Sequence, residues 1–189
     1  MTSQIPDRIV MDDNPLSIVA YSHWIPFNPK DCGMYTLPLS SACWRGHWCV
    51  YKIQDGSLYL DQLTIKTMND KYPVLNGVSA EDYGYEAVYE KLGLPVSYSG
   101  KILGGADFIT DYYIHMGFQQ PYGYKKLIEF TFENGKLVST ADHSDIAEKI
   151  RKEIEQNPCN RIYEAEHAAD FIHDSFSLDY ETKCWWLEE

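Results

Sequence analysis

The sequence predicts an α+β fold: a mainly antiparallel sheet built from hairpins, with about three helices packed on one face or end. Three observations carry this expectation. Asp55-Gly56 and Asn134-Gly135 each separate two runs of alternating apolar residues, the strongest short-range hairpin signal. Strand-like runs dominate the first two-thirds of the chain, and helical spacing dominates the last third. Strand–helix–strand alternation is missing, which argues against a doubly wound parallel sheet.

The elements follow in order. Residues 16–21 and 34–39 read as strands. In the run from Trp48 to Leu63, the Asp-Gly turn sets Ile53 opposite Leu58 and Tyr51 opposite Leu60, four side chains on one face. Ser79-Ala80-Glu81-Asp82 resembles a capping box with Asp in the place of Glu or Gln. Tyr85, Val88, Tyr89 and Leu92 follow at helical spacing before Gly93 and Pro95, so a helix is expected there, its first turn weakened by Gly84. Residues 96–103 read as a strand, and 111–124 as a mobile loop with aromatics set among Gly, Pro and Gln. In the run from Leu127 to Thr140, Phe132 should oppose Leu137, and Thr131 should oppose Val138. Residues 144–156 place Ile146, Ile150 and Ile154 on one stripe and end at Asn157-Pro158. Residues 162–174 carry Ala165, Ala168, Ala169 and Ile172 as an apolar face.

Composition narrows the function classes. The chain has 189 residues, 28 Asp and Glu against 16 Lys and Arg, and a formal net charge of −12. One α+β domain over residues 1–189 is expected. Phosphate backbones and anionic membranes are bound by clustered cations, so neither nucleic acid nor membrane is an expected partner. The same charge favours a cationic protein partner through steering. The start shows no cationic region followed by an apolar core, and a cytoplasmic location is expected. Five cysteines (Cys32, Cys43, Cys49, Cys159 and Cys184) with no C-x-x-C pair read as reduced thiols.

The densest chemical cluster is Ser40–Cys49, which holds Cys43, Trp44, Arg45, His47, Trp48 and Cys49. A Cys/His catalytic pair needs an imidazole to lower a thiol pKa, and His47 beside Cys43 or Cys49 has the residue types for it. Zinc bound by Cys43, His47 and Cys49 would lack a fourth ligand. In a continuous strand His47 and Cys49 share the face of Tyr51 and Ile53, which places them in the core, so packing is the preferred reading. Arg45, with a planar five-donor fork, is expected to stack over nearby rings or bond loop carbonyls. Glu166, Asp170 and His173 fall along one helix side as weak metal candidates, though that side flanks the alanine stripe and suits solvent. Trp44, Arg45, Tyr112, Tyr113, Phe118, Tyr122 and Tyr124 are the candidate binding residues, because Tyr and Trp offer large rigid area with a polar tip. No phosphate-cradling or hydrolase motif is present, and no cofactor is expected.

Cys43-Trp44-Arg45-Gly46-His47, then Tyr51-x-Ile53 and Leu58-Tyr59-Leu60, resembles a family of small uncharacterised bacterial proteins with a Trp-Arg-Gly-aromatic hairpin signature. The resemblance spans about residues 40–63, implies a hairpin, and carries no activity or catalytic residue. His47 stands where that pattern has tyrosine. Small size, acidity and aromatic content without a catalytic motif give the expected function by compositional analogy: a non-enzymatic protein-binding module of inhibitor, immunity or adaptor type. The alternative is a small hydrolase or transferase with a site around Cys43, Arg45 and His47.

Overall fold

A computed structural model describes residues 2–23, 25–156 and 168–187. The fold is α+β with sheet predominating. The first strands are β1 (Arg8–Met11), β2 (Asn14–Tyr21), β3 (His47–Gln54) and β4 (Ser57–Ile65). Three short strands follow, β5 (Glu81–Asp82), β6 (Ala87–Tyr89) and β7 (Leu94–Pro95), and then three long ones, β8 (Gly100–Phe108), β9 (Tyr124–Glu133) and β10 (Lys136–Asp142). Helices α1 (Ser144–Gln156), α2 (Ala168–Phe176) and α3 (Tyr180–Cys184) come last. Strand order is β10-β9-β8-β2-β1-β3-β4-β6-β5, with β7 beside β4. The pairing of β1 with β3 is parallel, so the sheet is mixed rather than made of antiparallel hairpins alone.

The first hairpin has the register read from its turn, with Tyr51 opposite Leu60 and Ile53 opposite Leu58. Asp55 and Gly56 take φ values of 50° and 66°, the two left-handed positions a type I′ turn requires. In the second hairpin Phe132 opposes Leu137, but Val138 bulges out and Ser139 takes its place opposite Thr131. The bulge leaves Val138 exposed. The two hairpin tips, Asp55-Gly56 and Asn134-Gly135, lie side by side. Leu58 N–H donates to Gly135 O and Leu137 N–H to Gly56 O, at 2.8 and 2.9 Å. Through this exchange β4 meets β10 and the curled sheet closes on itself.

Residues 79–92 form no helix. Gly84 at φ 84° turns the chain between β5 and β6, and Ala87, Val88 and Tyr89 alternate buried, half-buried, buried. The period of two prevails because Ala87 and Tyr89 both fill the core beside β4, whereas a helix would present only one face to it. Residues 34–39 supply only an isolated bridge, Thr36 to Thr67. The strand expected at 96–103 begins at Gly100 and runs to Phe108. Helix α1 matches its expected span. The helix expected over 162–174 lies partly outside the described residues, and α2 is seen from Ala168 on.

Two apolar clusters result. One fills the curl of the sheet with Ile9, Ile18, Tyr51, Leu60, Ile102, Phe130 and Phe132. The other joins Val19, Leu103 and Leu127 to Ala147 of α1 and Tyr180 and Cys184 of α3, where helices cover the sheet.

Candidate functional site

The decapeptide 40–49 wraps a buried carboxylate that sequence reading passed over. Gly46 has a φ of 75°, and a Cβ there would stand 2.1 Å from Leu37 O, so glycine alone fits this close approach. The turn carries Arg45 inward onto Asp7. Arg45 Nη2 donates to Asp7 Oδ1 at 2.7 Å and Nη1 to Oδ2 at 2.9 Å, while Nη2 also reaches Ile5 O at 3.2 Å. Tyr21 OH donates to Asp7 Oδ2 at 2.5 Å, and Cys49 N–H to Oδ1 at 2.7 Å. The guanidinium carbon lies 5.5 Å from the Phe118 ring centroid. Asp7 thus ties the N-terminal segment to β2, β3 and the turn that carries Arg45, with its two oxygens sharing four donors.

Electrostatics follow from this burial. Desolvation works against the charge of Arg45, but Asp7, Tyr21 and Cys49 together more than offset it and hold the guanidinium above its ordinary pKa. Burial, then the charge of Asp7, pushes the Tyr21 phenol well up, so it stays a neutral donor. Burial raises the Cys43 thiol, and raises Cys49 further with help from Asp7. Cys43 Sγ donates to His47 O at 3.5 Å. His47 is buried, its pKa is lowered by desolvation, and its Nδ1 lies 3.2 Å from Arg45 O. The thiols are shifted away from thiolate formation, the opposite of what a cysteine nucleophile requires.

The aromatic candidates separate by exposure. Phe118 and Tyr124 are buried. Tyr112 and Tyr122 meet edge to face at 5.9 Å, and Tyr112 OH donates to Glu155 at 3.0 Å. Tyr113 is exposed beside Phe108 and His115. Trp44 is half exposed and stacks on Phe176 at 5.2 Å. The 111–124 segment, read as mobile, is fastened by Gln119, whose Nε2 donates to Ser3 Oγ and Ile114 O at 2.7 and 2.9 Å. Of the metal candidates, Glu166 and the Asp170 side chain lie outside the described residues. His173 is exposed with Nδ1 3.3 Å from Asp174. No group of three or more His, Cys, Asp or Glu among the described residues is placed to hold a metal ion.

Two further features were missed in the sequence. Glu129, buried on β9, accepts a short hydrogen bond from Tyr180 OH, with Lys101 Nζ and His143 Nε2 at 3.4 and 3.5 Å. The second is an exposed apolar surface. Thr36 pairs with Thr67, which sets Tyr35 beside Met68 and Leu37 beside Lys66 on one outward side. Lys66 Nζ donates to Asp70 at 2.7 Å and to Gly84 O at 2.6 Å, which draws in the β5–β6 turn with Tyr83 and Tyr85. Tyr85, Met68, Tyr35 and Tyr83 are 70, 65, 58 and 54% exposed. Glu81, Asp82, Glu86 and Glu90 lie on the same hairpin, which has no cation from 81 to 90. The alternation of Ala87, Val88 and Tyr89 was the available signal, and helical spacing masked it.

Compared with family profiles, with curated proteins and with solved structures, the chain matches none. No helix among the described residues is long and apolar enough to cross a membrane.

Proposed function

We propose that the chain acts as a binding module for another protein, which it meets through the Tyr35, Leu37, Met68, Tyr83 and Tyr85 surface. The single observation that carries this reading is the clustering of these exposed apolar side chains around Lys66. Contiguous apolar surface rimmed by polar groups marks interaction sites. Tyrosine supplies much contact area for little lost rotamer entropy. Tyr83 is already held, its OH donating to Glu81 at 2.5 Å, so less order is lost on docking. The four carboxylates of the hairpin and a net charge of −12 select a cationic partner surface. Raised thiol pKa values at Cys43 and Cys49 support packing over the hydrolase or transferase alternative. The Arg45 clamp gives the Trp-Arg-Gly resemblance a scaffold role of the same kind.

The test is comparative retention from cell extract on the immobilised parent and on a Tyr83→Ser, Tyr85→Ser variant, which leaves the charge intact. The expected result is a basic protein held by the parent, released by salt, and bound about tenfold more weakly by the variant when purified. Identical retention by both proteins would refute the proposal.

A further inference from the structure

We propose that the cleft between β2 and β8 binds a small organic anion, a phosphate or carboxylate carried on a flat ring. The two strands pair from Tyr21 and Ile102 to Ser17 and Gly105 and then part, although β8 continues to Phe108. Asp107, with a left-handed φ of 56°, lies where β8 leaves its neighbour. The gap is a cleft of about 550 Å³, within the range of small-molecule sites. Its aromatic side is rigid. The Tyr124 ring lies against Gly105, where a Cβ would stand 2.5 Å from the ring, and Phe108 meets Tyr124 edge to face at 5.0 Å.

Two cations line this cleft from opposite sides, Arg8 on β1 and Lys126 on β9, with Asp107 as the carboxylate among the lining residues. Neither cation makes a hydrogen bond or close ion pair with a described residue, although the charge of Lys126 also reaches Asp142. The other two arginines among the described residues are engaged: Arg45 holds Asp7, and Arg151 donates to the carbonyls of Tyr122 and Tyr124. Arg8 therefore offers an open planar fork, which matches a phosphate or carboxylate in two parallel bonds. Lys126 adds a point charge across the gap, and the Tyr124–Phe108 side offers a flat ring a surface to pack on. This site is separate from the tyrosine surface and does not depend on it.

The test titrates phenyl phosphate, benzoate and inorganic phosphate into the protein while backbone amide resonances are followed. Phenyl phosphate or benzoate is expected to give saturable shifts centred on Ser17, Gly105 and Ala106, with inorganic phosphate weaker than phenyl phosphate. Arg8→Ala is expected to lower affinity about tenfold, the loss that follows from one charged hydrogen bond. Lys125→Ala, an exposed cation outside the lining, serves as the charge control and should leave affinity unchanged. Absence of saturable shifts at these residues, equal affinity in Arg8→Ala, or an equal loss in Lys125→Ala would each overturn the proposal.

Discussion

The Arg45 clamp and the tyrosine hairpin of β5 and β6 use their side chains in opposite ways. At the clamp, Asp7, Tyr21 and Cys49 are buried, and the two Asp7 oxygens meet the Arg45 fork, Tyr21 OH and Cys49 N–H inside the protein. At the hairpin, Tyr83 and Tyr85 stand more than half exposed, and the carboxylates face solvent beside them. The clamp holds the residue types usually associated with catalysis, yet burial ties them to one another. The hairpin buries Ala87 and Tyr89 but presents Tyr83 and Tyr85 outward among its acids. Residue chemistry alone therefore says little about which region faces solvent; burial decides it.

The largest expected effect lies in the clamp. Asp7→Ala leaves the largely buried Arg45 charge without its carboxylate, and should lower stability by about 3–5 kcal/mol in urea unfolding. A loss below about 1 kcal/mol would mean that water reaches the guanidinium freely. Lys183 comes next. Its amine is buried under the same region and donates to Phe118 O at 3.4 Å, while burial lowers its pKa to about 8. The unfolded chain thus holds this proton up to about pH 10.4, whereas the folded chain releases it from about 8. Stability from this group must rise with pH across that window, by about 3 kcal/mol in total. Lys183→Met, compared with the parent from pH 7 to 10.5, should lack that rise and be the more stable protein at pH 7. Parallel pH profiles for the two proteins would show that Lys183 is solvated. The second buried carboxylate gives a smaller effect. Glu129 is met by Tyr180 OH, with Lys101 Nζ and His143 Nε2 beyond 3.3 Å, so Tyr180→Phe removes its close donor and should cost about 1.5–3 kcal/mol.

Legibility in the sequence followed the range of the determining interaction. Both hairpin turns were readable because two adjacent residues, Asp55-Gly56 and Asn134-Gly135, set the left-handed positions that fix the register. The Val138 bulge was not, because it depends on how β10 meets β9 rather than on the turn. The 79–92 segment was misread because Tyr85, Val88, Tyr89 and Leu92 satisfy a helical spacing locally, while contact with β4 imposes the strand. Arg45 stood out in an unusual decapeptide. Its partner Asp7 did not, since a short Pro-Asp-Arg stretch looks like solvated surface until the fold brings it 38 residues along the chain to Arg45. The exposed surface was hidden for the same reason: Tyr35, Met68 and Tyr85 are brought together only by the Thr36–Thr67 bridge and the reach of Lys66.

The claim that the chemically dense decapeptide is scaffold, and the hairpin surface is not, can be tested without any partner. Urea unfolding of the parent, Arg45→Lys, and the Tyr83→Ser, Tyr85→Ser variant puts both regions on one scale. Arg45→Lys keeps the charge but loses the fork on Asp7 and the stacking on Phe118, so its stability should fall by about 1–3 kcal/mol. The tyrosine variant touches exposed side chains and should stay within about 0.5 kcal/mol of the parent. An unchanged Arg45→Lys protein, or a tyrosine variant as destabilised as Arg45→Lys, would contradict the account.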